Sequence, residues 1–219
     1  MYRSLGRVQR PSANFFSTGS LITSFTVLIT LSALIATFWT TPAVSSKTAV
    51  SIPTAVSSCF DATADSYTSF FNPTANFGSD VELHLVSTPN GQEQLFATFD
   101  LSKIPVDGTI ISATLKLELL AADATDLPST LQQVDRPWDE ATITWGSQPP
   151  VSGSYDSPIH SNVPGNKTWI ATDLVTNWHT GKLDNYGLAI VPPASRTDRF
   201  AFFASRESTK GAGPQLCVA

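Results

Sequence analysis

The stretch Ile110-Ile-Ser-Ala-Thr-Leu-Lys-Leu-Glu-Leu-Leu120 decides the fold class. Ile111, Ala113, Leu115, Leu117 and Leu119 fall on one side of an extended chain, and Ser112, Thr114, Lys116 and Glu118 on the other. A period of two is the mark of a strand with one wet face and one dry face. Working outward, VELHLV (81–86) alternates in the same way, with Val81, Leu83 and Leu85 against Glu82 and His84. QLFATFDL (94–101) is a further strand, turned into the one at 110 by Pro105 and Asp107-Gly108. STLQQVD (129–135), TITW (142–145), YGLAIV (186–191), RFAFFAS (199–205) and PQLCV (214–218) read as strands too.

One segment breaks the pattern. In ATDLVTNWHTG (171–181) Leu174, Val175 and Trp178 recur at helical spacing, Thr172 or Asp173 is placed to cap, and Gly181 to end a short helix. The Pro-, Ser- and Gly-rich stretch from 148 to 166 reads as a long surface loop. Eight or nine short strands with one helix predict an all-β, two-sheet, jelly-roll-like sandwich.

Ahead of this domain lies an apolar leader. Arg3, Arg7 and Arg10 precede a stretch without charge from Leu21 to Trp39, followed by Pro42 and the small residues Ala43, Val44 and Ser45. Basic flank, apolar run and small-residue site are the order of a secretory signal. The run is also just long enough to span a bilayer as a helix, so an uncleaved anchor with its basic end inside is the alternative. Residues 1–45 are thus a signal peptide or signal anchor, 46–57 a linker and 58–219 the domain, which either route delivers outside the cytoplasm.

All 18 carboxylates follow the leader, against 10 Lys and Arg from Ser46 onward, so this part carries about −8. No Lys or Arg occurs between Thr48 and Ser102. Such a surface repels phosphate backbones, and nucleic acid is not an expected partner. The membrane is expected to be met only through the N-terminal segment. Cys59 and Cys217 stand at opposite ends of the domain. Outside the cytoplasm an even count points to a Cys59–Cys217 disulfide, which closes nearly the whole domain if the first and last strands lie side by side; two buried thiols are the alternative.

Five phrases then line up in one order: DATADSYTSFFNPTANFGSDVELHL (61–85), FDLSKIPVDGTIISATLKL (99–117), RPWDEATITWGSQPP (136–150), TDLVTNWHTGKLDNYGLAIV (172–191) and FASRE with PQL (203–216). Together they resemble the DNRLRE-type domain, related to the family 96 carbohydrate-binding modules, over residues 58–219. The resemblance implies an extracellular β-sandwich appended to enzymes or surface proteins, some members of which bind polysaccharides such as alginate. Thr98 stands where the family often carries an Arg, which with the missing cations in the N-terminal half favours a neutral glycan, or none, over an alginate-type one.

Sugar binding needs flat aromatic faces and amide or carboxylate groups for the hydroxyls. Trp138 follows a proline in a polar turn, and Tyr155 and Trp169 flank the long loop. Tyr67, Phe70 and Phe71 form a cluster near Asn72 and Asn76, able to make a stacking platform or to close one end of the sandwich. The ligand-binding candidates are therefore Trp138, Tyr155, Trp169, Tyr67 and Phe71, whereas Trp145 and Trp178 read as core. Asp61, Asp65 and Asp80 are candidate ligands of a structural calcium, no other cofactor being expected. Arg206-Glu207 reads as a structural ion pair or hydrogen-bond anchor. His84 lies on a strand's outer face and reads as solvated. No G-x-S-x-G elbow and no paired histidines occur. Asp139 or Glu140 with Glu207 is the one glycosidase-like pairing; the reading is a non-catalytic module for carbohydrate binding or cell-surface attachment, the alternatives being a purely structural module of a membrane-anchored surface protein and a carbohydrate-active enzyme.

Overall fold

In a computed structural model of the chain, residues 57–123, 126–194 and 197–219 are described. The leader and nearly all of the linker lie outside them. The described residues form twelve strands and one helix, in the order β1 (Ser58–Ser69), β2 (Glu82–Thr88), β3 (Gly91–Phe99), β4 (Ala113–Ala122), β5 (Asp126–Pro128), β6 (Thr130–Val134), β7 (Val151–Asp156), β8 (Ile159–Ser161), β9 (Gly165–Ile170), α1 (Thr172–His179), β10 (Leu188–Val191), β11 (Arg199–Ala204) and β12 (Gln215–Val218).

Ten strands share one antiparallel ladder ordered β1-β12-β4-β11-β2-β3-β10-β6-β7, with β9 on the free side of β4 and a further pairing of β1 with β3. The ladder folds over into a sandwich because β1 serves both layers. Its first residues pair with β12 and, past an irregularity at Ala62–Ala64, its remainder pairs with β3. β5 and β8 make a separate two-stranded ribbon. Ala113, Leu115, Leu117 and Leu119 of β4 face Leu95, Ala97 and Phe99 of β3 across one core, joined by Leu83, Leu188, Ile190 and Phe203. That is the alternation read from the sequence.

Several expectations are corrected at element ends. Ile111 is 65% exposed and β4 begins two residues later. Its amide still bonds the Ala219 carbonyl at 2.7 Å, so the ladder runs on past the end of the core. TITW is a turn, because the Asp139 carboxylate accepts from the Ala141 amide (3.0 Å) and the Thr142 hydroxyl (3.2 Å) and winds the chain back. The supposed loop at 148–166 holds β7, β8 and the start of β9; β7 has no buried residue, which is why it reads as loop. The helix starts without a side-chain cap: the Thr172 hydroxyl instead accepts from the Ala113 amide at 3.0 Å, tying α1 to β4. Gly181 ends it with φ 68°, and Leu174, Val175 and Trp178 are buried. Cys59 and Cys217 face each other across β1 and β12 and are disulfide-bonded.

Candidate functional site

β3 and β10 have a second apolar side. Phe96 and Ala189 point away from the main core and, with Val134 and Ile143, form a smaller cluster against which Trp138, Val151, Tyr186 and Val191 pack. Both faces of these strands are thus covered, which explains their unbroken apolar runs. The cover on the outer face is the segment from Asp135 to Pro150, between β6 and β7.

This segment is sewn to the one that follows β1, residues 70–81. The Asn76 side-chain amide donates to the carbonyls of both Glu140 and Ile143, each at 2.8 Å, and the Gly146 amide donates to the Pro73 carbonyl at 3.0 Å. Gly78 lies so close that a Cβ there would sit 2.1 Å from the Glu140 carbonyl oxygen, a distance no side chain tolerates. Toward β7, Thr68 and Gln94 both donate to the Gln148 side-chain oxygen, at 2.6 and 3.0 Å. The Gln148 amide nitrogen donates to no described residue.

The two segments together present aromatic rings to solvent. Phe70 and Phe71 are 46% and 47% exposed, with ring centroids 6.1 Å apart, and half-buried Trp145 meets Phe70 edge-on at 5.7 Å. Beside them an open cavity of about 420 Å³ is lined by Pro137, Trp138, Asp139, Thr142, Ile143 and Ser147. That volume lies in the range of small-ligand sites. Trp138 packs on Phe96 at 5.8 Å, and its indole N–H donates to the Tyr186 carbonyl at 3.0 Å. What it has left to offer is its ring. Among the described residues no Lys or Arg lines the cavity. Thr98, where the resembling domain often has an arginine, is hydroxyl-bonded to Thr63 at 2.9 Å.

The comparisons bear on what such a surface is for. The model of carbohydrate-binding module family 96 matches residues 56–219. The chain belongs to that family. No match was found among curated proteins.

Within this family 96 module the sequence-derived candidates separate sharply. Phe71 and Trp138 lie on the surface just described. Trp169 is fully buried in β9, donates to the Ser129 hydroxyl at 3.0 Å and has no face for a ligand. Tyr67 is 3% exposed, stacked between Phe77 and His84 at 4.2 Å each and bonded to Asp80; burial and the Asp80 carboxylate raise its phenol well above the usual range. Both are corrected to interior roles; His84 stays partly exposed but is held between Tyr67 and Glu93. Tyr155 is half-buried against the core with its hydroxyl on Gln133. Trp145 and Gln148 are the members that sequence reasoning missed. TITW read as strand and so placed the indole inside, while Gln148 carries no local signal.

The calcium candidates part company as well. Asp61 accepts from Gln215, Asp80 from Tyr67, and Asp65 lies elsewhere with Glu140 and Glu207. Those three carboxylates each offer an oxygen within 4.8 Å of the others, the one group among the described residues close enough to share a metal ion. Arg206 already sits among them, donating to both Glu140 oxygens at 2.8 and 3.1 Å rather than pairing with Glu207. Its backbone amide donates to Asp65 at 2.9 Å, and the Asp65 amide to Glu140 at 2.7 Å. Asp65, 1% exposed, is pushed up to about 7 by burial, and the carboxylates of Glu207 and Glu140 add to the rise against the Arg206 amide bond. Glu140 is committed to Arg206 and Asp65, and Glu207 Oε2 is buried without a partner. The cluster thus fastens β1, the 135–150 segment and the stretch after β11 at one point.

Proposed function

We propose that this module binds a neutral polysaccharide, without catalysis, on the outer face of β3 and β10. One observation carries the reading: exposed Phe70 and Phe71, with half-buried Trp145 edge-on to Phe70, form an aromatic group on the same two mutually bonded segments that carry the Trp138 cavity. Phenyl and indole faces stack on the apolar faces of sugar rings, and Asp139, Thr142, Ser147 and the Gln148 amide supply hydroxyl partners. The absence of Lys and Arg among the described residues that line the cavity supports an uncharged chain. We read the chain as acting outside the cytoplasm, in keeping with its disulfide and its apolar leader.

Affinity electrophoresis of the chain in gels holding hydroxyethylcellulose, glucomannan, xylan or alginate tests this. Retardation by a neutral polymer, abolished in Phe70→Ala/Phe71→Ala, is expected. Unchanged mobility in every gel would overturn the reading, and retardation by alginate alone would overturn its neutral part. The apolar run from Leu21 to Trp39 favours a second reading, a structural module held at the membrane. Intact N-terminus in the membrane fraction together with no glycan affinity would decide for that one.

A further inference from the structure

A second cavity, of about 350 Å³, opens where the loop after β3 meets the end of α1. It shares no lining residue with the Trp138 cavity. Phe99 in its wall ends β3, eight residues from Gly91, whose near neighbours are the Phe70 and Phe71 rings. Eight residues of strand span about 27 Å, so those two rings lie out of its reach.

The walls are tied from three sides. The Asp100 carboxylate accepts from the Ser102 amide at 2.9 Å, and the Ile104 amide donates to the Leu101 carbonyl at 2.9 Å, which winds the loop. His179 Nε2 donates to the Gly108 carbonyl at 2.9 Å and fixes that loop to the helix. The Asn185 side chain donates to the Phe99 carbonyl at 3.0 Å and accepts from the Gly187 amide at 3.1 Å. A cavity braced in this way is formed before a ligand arrives, which lowers the cost of binding.

One group in the wall is unsatisfied. Trp178 lines the cavity and is 8% exposed, and its buried indole N–H has no acceptor among the described residues. Trp138 and Trp169 each give theirs to an oxygen at 3.0 Å. Buried indoles normally do the same, and a donor left without a partner costs stability. A phenyl ring would fill the apolar stripe of the helix without that cost.

The missing partner is an acceptor, and the Asp100 carboxylate in the same lining asks for a donor. An ammonium ligand brings donors only. An anionic ligand meets Asp100 with like charge, and among the described residues no Lys or Arg lines the cavity to offset it. Hydroxyl groups serve both needs. Ile104 and Val106, the latter 95% exposed, add an apolar wall for the C–H face of a ring. We propose that this cavity is a second, separate site for a neutral sugar ring, whose hydroxyls accept from the Trp178 indole and donate to Asp100.

The experiment titrates the isotope-labelled full-length chain with the methyl glycosides of glucose, mannose and galactose, and with glucuronic acid. It follows the indole N–H signals by magnetic resonance, that of Trp178 being the one missing from Trp178→Phe. At least one neutral glycoside is expected to shift the Trp178 signal, and glucuronic acid to leave it in place. Calorimetry with that glycoside is expected to show about tenfold weaker binding in Trp178→Phe, as the loss of one good hydrogen bond requires. Asp100→Asn, which keeps an acceptor for the Ser102 amide, is expected to weaken it severalfold. Trp178→Phe is also expected to melt at or above the parent's temperature, and Phe70→Ala/Phe71→Ala to leave the titration unchanged. No movement of the Trp178 signal with any neutral glycoside overturns the site, as does unweakened binding by Trp178→Phe. A melting temperature several degrees lower in that variant would mean that the indole N–H is bonded within the fold, and overturns it too. Glucuronic acid binding as well as a glycoside overturns its neutral character. Loss of this site leaves the Phe70 and Phe71 reading standing, and failure of every polymer to retard the chain leaves this one to its own signal.

Discussion

The two sides of β3 do different work with similar residues. On the inner side Leu95 and Ala97 meet Leu115, Leu117 and Trp169, all on strands that are hydrogen-bonded along their length. On the outer side Phe96 meets Ile143 and Trp138, which sit on a segment without regular structure. The inner contacts hold two sheets together, and the outer ones hold a loop in place. The difference teaches that apolar burial is not by itself a sign of the folding core: here a second, smaller burial positions the surface proposed to meet a ligand.

The comparison can be broken by substitution, taking the largest effect first. Trp169→Ala removes a fully buried ring and leaves the Ser129 hydroxyl unpaired, so a loss of about 3–5 kcal/mol is expected in urea unfolding. A loss below about 1 kcal/mol would mean the inner side is no tighter than the outer.

Acidity comes next. Asp65 is raised from 3.8 to about 7, so between those values the folded chain binds more protons than the unfolded one. Stability must then be greatest in acid and fall as pH rises from about 4 to about 7, by roughly 1.4 kcal/mol for each pH unit over which the folded carboxyl keeps its proton. Asp65→Asn is expected to flatten that slope and to raise the melting temperature at pH 8. A profile identical to that of the parent would show that Asp65 is not the group responsible.

Ile143→Ala is expected to cost about 2 kcal/mol, toward the lower end for such truncations because half of its surroundings is a loop able to relax. Its larger consequence is expected in glycan affinity. Equal stability losses for Ile143→Ala and Trp169→Ala, with affinity untouched, would erase the distinction between the two sides. The smallest effect on stability belongs to Phe71→Ala, within about 0.5 kcal/mol, since the ring is half exposed. A melting temperature several degrees lower would turn Phe71 from a contact residue into a support.

How much of this was legible in the sequence follows the same division. β4 reads directly, since its inward residues are all apolar and its outward ones mostly polar. β1 does not: Asp65, Tyr67 and Ser69 sit on one side of the strand with Ser66 and Thr68 on the other, and all five are buried. Tyr67 consequently looked like a surface ring. β9 misleads in the same way, because Lys167 shares the inward face with Trp169, its ammonium donating to the Val163 carbonyl at 2.8 Å. Alternation cannot be seen where a polar side chain is buried and satisfied. At the site, Phe71 and Trp138 were visible as rings among polar neighbours. Trp145 was not, because its exposure depends on the Asp139 turn and on Asn76, 67 residues from the Ile143 carbonyl it holds.

The clip between Cys59 and Cys217 fixes where the module is moored. β1 leaves that clip and runs some 35 Å of strand before reaching Phe70. Ser58 and Val218, paired beside the clip, therefore lie at the end of β1 opposite Phe70 and Phe71.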